Sequence, residues 1–245
     1  MKIALCMSGH ARTHYKTYGF WRDNLLAHHD VDVFFHLWDT VGPREMGGGL
    51  DGKSGVEPSP HVKVDEIQSL WQPKQIFVDQ YIYFHSLFES RSKKWYHTRN
   101  GLGLRTIDRP LANMSMYYKW RACNEMKNQY AKDNNIRYDM VIRSRPDIAL
   151  FDPLPNECFT DQSQTYLPVK GSWGPDEISD YIVLGTNEQL DHWCRIYEQI
   201  DEKYEKALAD GDFTKALYPH KLFYYHFVEH NQPFKQIDIN CEIIR

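Results

Sequence analysis

Lys2-Ile3-Ala4-Leu5-Cys6-Met7, closed by Ser8-Gly9, and Val31-Asp32-Val33-Phe34-Phe35-His36-Leu37-Trp38 are two apolar runs, and Trp21, Leu25 and His28 recur between them at helical spacing. The runs read as buried strands and the interval as a helix. A strand, a helix and a strand within the first forty residues open a βα unit, so the expected fold is α/β, with a mostly parallel central sheet flanked by helices. In such a sheet ligands sit at the strands' C-terminal ends. The turn Ser8-Gly9-His10-Ala11-Arg12-Thr13 is therefore placed to receive a nucleotide. Its small residues let backbone approach a ligand, and Arg12 offers a two-pronged fork to a diphosphate.

Outward from this start, Val64 to Trp71 predicts a short helix and Gln75 to Phe84 a strand rich in Ile, Val, Tyr and Phe. Ser86 to Arg109 is polar and basic and reads as irregular. Met116, Trp120, Cys123, Met126 and Tyr130 share one face of a long helix over about 111–133. Tyr138 to Ser144, Thr165 to Val169 and Tyr181 to Leu184 are further strands. Thr186 with Gln189 forms a capping box, opening a helix whose apolar face runs through Leu190, Trp193, Tyr197, Ile200 and Tyr204. Pro219 starts another helix, to about Glu229. No repeat or domain boundary stands out, which predicts one domain over residues 1–245 with a Gly- and Pro-rich flexible loop at about 40–60.

The chain's 42% hydrophobic and 25% charged residues are those of an ordinary globular protein. A net charge of -4 argues against a general nucleic-acid binder. The 14% aromatic content suits a Tyr- and Phe-rich core, and it also suits stacking on sugars. Five cysteines without C-x-x-C spacing favour a reducing, cytoplasmic setting. Ile3 to Met7 is too short for a signal-peptide core, and no run of about 18 apolar residues predicts a membrane span.

Several patterns carry chemistry. Gly47 to Ser54 matches the G-x-x-x-x-G-K-[ST] phosphate loop through Lys53, but Gly55, Pro58 and Pro60 follow where that loop needs a helix to begin. A lid is the favoured reading, and a kinase or nucleotide hydrolase using Lys53 is the alternative. In Arg143-Ser144-Arg145-Pro146-Asp147 an apolar strand runs into charge. Asp147 is a candidate ligand to a divalent cation, and Arg143 and Arg145 are candidates for phosphate or sugar. Asp176, Glu177 and Asp180 crowd one short loop as candidate general bases for an acceptor hydroxyl, with Trp173 as an acceptor platform. His10 with His14, and His226 with His230, have the i, i+4 spacing of a zinc clamp. Neither has the accompanying Glu or Cys, so non-zinc roles are favoured. His220 is a candidate late ligand to the same cation as Asp147.

Four stretches together, Ile3 to Thr13, Asp32 to Trp38, Tyr138 to Asp147 and Asp180 to Gly185, resemble in order and spacing the small viral and bacterial glycosyltransferases of the GT-A fold. The resemblance spans most of the chain and implies a single Rossmann-like nucleotide-sugar domain with Mn²⁺ or Mg²⁺ at the donor diphosphate. Carried over by position, it puts the nucleotide near Ser8, Gly9 and Arg12, and the metal and donor sugar near Arg145 and Asp147. Arg145-Pro146-Asp147 supplies one acidic residue where the D-x-D signature of that fold has two, which leaves a metal-independent variant using Arg143 and Arg145 open. The expected activity is hexosyl or pentosyl transfer from a nucleoside-diphosphate sugar, for example a UDP-sugar, to a hydroxyl of a saccharide or glycoconjugate. A non-catalytic carbohydrate-binding protein is the other alternative.

Overall fold

A computed structural model of the chain describes residues 1–42, 60–88, 90–91, 109–172, 174–212, 215 and 218–245. Strand β1 (Lys2–Gly9) is followed by helix α1 (His14–Trp21), which runs on into a π-helical turn at Arg22–Leu26, and by β2 (Asp30–Trp38). Next come α2 (Val64–Trp71), β3 (Gln75–Asp79), a helical stretch at 81–88 and the long α3 (Arg109–Asp133). The second half contains β4 (Met140–Ser144), β5 (Ile148–Leu150), α4 (Glu157–Thr160), β6 (Thr165–Pro168) and β7 (Ile182–Gly185). It closes with α5 (Asn187–Cys194), α6 (Ile196–Ala209), α7 (Pro219–Glu229), β8 (Phe234–Ile237) and β9 (Cys241–Ile243).

Seven strands form one sheet in the order β3-β2-β1-β4-β7-β6-β8, and β5 pairs with β9 beside it. β3, β2, β1 and β4 are mutually parallel, and β7 alone runs against its neighbours β4 and β6. The fold is thus the α/β arrangement expected, a mostly parallel sheet flanked by helices. The four stretches that carry the family resemblance fall on β1, β2, β4 and β7, which are contiguous in the sheet as β2-β1-β4-β7.

Burial on both faces explains why the β1 and β2 runs lack polar alternation. Ala4, Cys6, Phe34 and Trp38 point into one core with α3, α5, α6 and α7. Ile3, Leu5, Met7, Val33, Phe35 and Leu37 point into the other, with Trp21 of α1 and Ile67 and Trp71 of α2. In the first core the Trp120 ring stacks on Trp193 at 4.3 Å and on Phe223 at 4.5 Å, joining α3, α5 and α7. Truncating any one of these rings removes about 3–5 kcal/mol.

Some local expectations needed correction. The strand read over Gln75 to Phe84 ends at Asp79, because the Tyr81 N–H donates to Asp39 Oδ1 (2.9 Å) and a helix begins there. That helix takes in residues 86–88, which the sequence marked as irregular. The helix opened by Thr186 is interrupted at Arg195, although its capping box forms in full. The phosphate-loop motif with Lys53 and the body of the expected lid lie outside the described residues, as does Trp173. Only the base of that loop is described: Thr40 bridges His61, and the Val41 N–H donates to the Pro60 carbonyl (2.8 Å). Among the described residues no helix is long and apolar enough to cross a membrane.

Candidate active site

After β1 the chain moves outward through β2 and β3, then returns past β1 to lay down β4 on its other side. The crevice between the C-terminal ends of β1 and β4 is therefore the topological switch point, the usual ligand position in open α/β sheets. Because β7 is antiparallel to β4, pairing Ser144 with Ile182, its first residues lie at that same edge. The reversal of one strand delivers Asp180 to the mouth of the crevice.

At the β1 side, Gly9 has φ +112, and a Cβ built there meets nothing within 4 Å among the described residues. Ser8 is buried, and its hydroxyl has no partner among the described residues. Arg12 holds a left-handed backbone (φ 44), which is uncommon for a long side chain and costs about 1–3 kcal/mol. Two contacts hold it there: its N–H donates to the Val41 carbonyl (2.9 Å), and its Nη1 lies 3.2 Å from Asp147 Oδ2. Helix α1 starts two residues later with no acidic side chain in its first turn, leaving the positive end of its dipole directed at the crevice. His10 Nδ1 donates to the Thr40 carbonyl (3.0 Å), and burial pushes its imidazole down to about 4.

At the β4 side, Arg145 grips Asp147 with two hydrogen bonds, Nε to Oδ1 at 3.0 Å and Nη2 to Oδ2 at 2.8 Å. The Asp147 side chain is 2% exposed, against 22% for Arg12 and 20% for Arg145. Burial opposes ionisation of Asp147, but the Arg145 and Arg12 charges and the Arg145 hydrogen bonds outweigh it and hold the carboxyl below its ordinary value. Burial likewise opposes the Arg145 charge, and Asp147 and Asp180 together more than offset it. The turn is pinned from outside: Thr17 Oγ1 donates to the Pro146 carbonyl (2.7 Å), Trp21 Nε1 to the Ile148 carbonyl (2.6 Å), and the Ile244 N–H to the Asp147 carbonyl (2.8 Å).

Asp180 completes the group. Its Oδ2 lies 3.9 Å from Arg145 Nη1 and its Oδ1 3.9 Å from His220 Nδ1, which also sits 3.0 Å from the Ile178 carbonyl. The structure thus brings together Arg12, Arg145, Asp147, Asp180 and His220. It does not bring in Asp176, whose Oδ2 pairs with Lys221 Nζ (3.0 Å) and accepts from the Tyr225 hydroxyl (3.4 Å); the Lys221 hydrogen bond lowers its pKa. Glu177 is half-buried in the same loop, its N–H donating to the Gly174 carbonyl (3.3 Å).

Arg143 differs most from its sequence reading. Its position on β4 points it into the core that holds Trp120, where the guanidinium lies 3.8 Å over that ring and donates to the Asp180 carbonyl. It is 2% exposed, and burial pushes its guanidinium below the ordinary arginine range. It therefore supports the loop that carries Asp180 and does not face the crevice.

The donor set around Asp147 suits guanidinium pairing better than a hard cation. Both carboxylate oxygens already accept from Arg145, with Arg12 beside Oδ2. Among the described residues no convergent trio of His, Cys, Asp or Glu includes Asp147 or His220.

Sequence reasoning missed the C-terminal segment. The Thr13 hydroxyl donates to the Ile244 carbonyl and Lys16 Nζ to the Arg245 carbonyl (3.1 Å), tying the β1 turn and the β4 turn to one strap. Cys241 to Ile243 is too short a run to announce itself as a strand.

No family model matches the chain, and neither does any curated protein. Solved structures with which it shares 97% of its length include a candidate nucleotide-diphospho-sugar transferase from Desulfovibrio desulfuricans G20, at 11% identity and TM-score 0.42 over 79% of that chain. They also include mouse xyloside xylosyltransferase 1 in its apo form, at 9% identity and TM-score 0.46 over 86% of that chain.

Proposed function

We propose that the chain is a glycosyltransferase that binds a nucleoside-diphosphate sugar at the switch point and transfers the sugar to a hydroxyl of a saccharide or glycoconjugate. The observation that carries this reading is the pair of partly exposed guanidinia, Arg12 and Arg145, held by one buried carboxylate, Asp147, between β1 and β4. A guanidinium has five N–H donors, so the groups not used on Asp147 remain to face a diphosphate. Ser8 and Gly9 line the approach of its backbone side, and the α1 dipole adds positive potential there.

As the bond between the anomeric carbon and the diphosphate oxygen breaks, its electron pair passes to the diphosphate. Fixed positive charge from Arg12 and Arg145 stabilises that developing anion without reorganisation. Asp180 is the carboxylate best placed to take the acceptor's hydroxyl proton, because it alone of Asp176, Glu177 and Asp180 touches the Arg145 and His220 side chains. Such a base belongs to an inverting transfer; a retaining transfer does without it. Mn²⁺ or Mg²⁺ at Asp147 and His220 would require Arg145 to release the carboxylate, so the arginines are assigned the diphosphate here.

The test is donor turnover in Asp180→Asn and Asp147→Ala, with and without Mn²⁺, in protein shown to be folded. Loss of transfer with donor binding retained in Asp180→Asn supports the base. Full turnover in Asp147→Ala removes the assigned role of the Arg12–Asp147–Arg145 group. An absolute requirement for Mn²⁺ would replace the arginine-based reading with a metal-based one.

A further inference from the structure

Away from the switch point, α5 and α7 bring three imidazoles together. One ring nitrogen from each of His192, His226 and His230 lies within 4.8 Å of the other two. The ring centroids are 5.4 Å apart for His192 and His226, and 4.7 Å for each of the two pairs that include His230. His226 is in the last turn of α7 and His230 is its C-cap, four residues on, and His192 is in the last turn of α5.

In two of the rings one nitrogen already has a backbone carbonyl as partner, the kind of contact that orients metal-binding histidines. His230 Nδ1 lies 2.9 Å from the His226 carbonyl and His226 Nε2 3.4 Å from the His192 carbonyl. A carbonyl accepts, so each of these nitrogens carries the ring's proton. That leaves the lone pairs on Nδ1 of His226 and Nε2 of His230. Nδ1 of His226 and Nε2 of His192 are buried without any hydrogen-bond partner among the described residues. Buried polar atoms in that condition are destabilising, and a shared ligand relieves them together.

We propose that His192, His226 and His230 form a site for one late first-row transition-metal ion, Zn²⁺ being the probe of choice, which ties α5 to α7. Imidazole is the ligand such ions favour. Zinc–nitrogen bonds of about 2.0–2.1 Å bring ligand nitrogens to about 3.3 Å, a contraction within reach of ring rotation and a small shift of helix ends. The ligands must be neutral to bind. Burial pushes His226 down to about 3, with Lys203 and the other two histidines adding to the effect, and burial also lowers His192. The facing Lys203 charge that would repel a cation is paired with Glu229 at 2.8 Å, and Arg195 is the other cation beside His192.

The experiment is calorimetric titration of Zn²⁺ into chelator-stripped protein, with Co²⁺ absorption as a second readout. The variants are His192→Gln and His230→Gln, both at partly exposed positions, with exposed His28→Gln as control and folding checked by near-ultraviolet circular dichroism. The expected result is one Zn²⁺ per chain, a raised Tm, and affinity weakened roughly hundredfold in both ligand variants but not in the control. Absence of stoichiometric uptake, or uptake unchanged in both variants, overturns the site. Sugar transfer is not the readout, so the outcome is independent of the function proposed above.

Discussion

The Arg12 guanidinium and the Asp147 carboxylate meet at 3.2 Å across the switch point, although they belong to turns that follow different strands, β1 and β4. The contact makes the two turns one structural unit, with Arg145 as its third member.

Replacing Asp147 by Asn leaves two partly exposed guanidinia side by side, with Asp180 as the remaining carboxylate near Arg145 among the described residues. The expected loss of stability is about 3 kcal/mol, read from the urea midpoint at pH 7. The wild-type carboxyl is held below its ordinary value, so its contribution is present above the unfolded value of about 3.9 and disappears as pH falls through the lower folded value. Asp147→Asn is expected to lack that part of the acid limb.

Arg143 and Arg145 are two residues apart and are expected to behave differently on substitution. Arg143→Ala removes the guanidinium from the Trp120 face and the donor from the Asp180 carbonyl, costing on the order of 3 kcal/mol of stability. Arg145→Ala leaves the core intact and is expected to weaken nucleoside-diphosphate binding. Thermal unfolding of both variants, with and without nucleotide, separates the two roles.

His10 and His36 supply a second pH dependence. Burial is the main cause in both, and each imidazole is pushed down to about 4; the Lys119 charge adds to the effect at His36. The unfolded chain takes up protons near 6.5 while the folded one does not. This stability is therefore complete above pH 6.5 and is lost as pH falls towards 4. Between pH 7 and pH 5 each histidine accounts for about 2 kcal/mol. A urea midpoint flat over that interval would contradict the burial of both rings.

The parts of the fold legible in the sequence are those governed by local physics. The β1 and β2 runs, the Thr186–Gln189 capping box and the Pro219 helix start all appear as read. Tyr81 and Phe84 have strand-forming side chains, yet a tertiary contact, the Tyr81 N–H on Asp39, turns their segment into helix. At the site, Arg12, Arg145 and Asp147 were visible because charge follows an apolar strand. The distinction between Arg143, under Trp120, and Arg145, in the crevice, depends on strand alternation relative to helices that are distant in sequence. Asp180 was one of three equivalent carboxylates until the antiparallel course of β7 set it beside Arg145. The C-terminal strap on Ile244 has no local signal at all.

The central claim is that the Arg12–Asp147–Arg145 group seats a nucleoside diphosphate. Its most direct test is a thermal-shift screen of UDP, GDP, CDP and ATP and their sugar conjugates, with and without Mn²⁺, on wild-type and Arg12→Ala protein. A ligand at a hundredfold excess over Kd stabilises by about 2.7 kcal/mol, enough to stand out in Tm. The account predicts a shift with one nucleoside diphosphate and its sugar conjugate, and its loss in Arg12→Ala. Silence with every diphosphate, or a shift that survives Arg12→Ala unchanged, would contradict it.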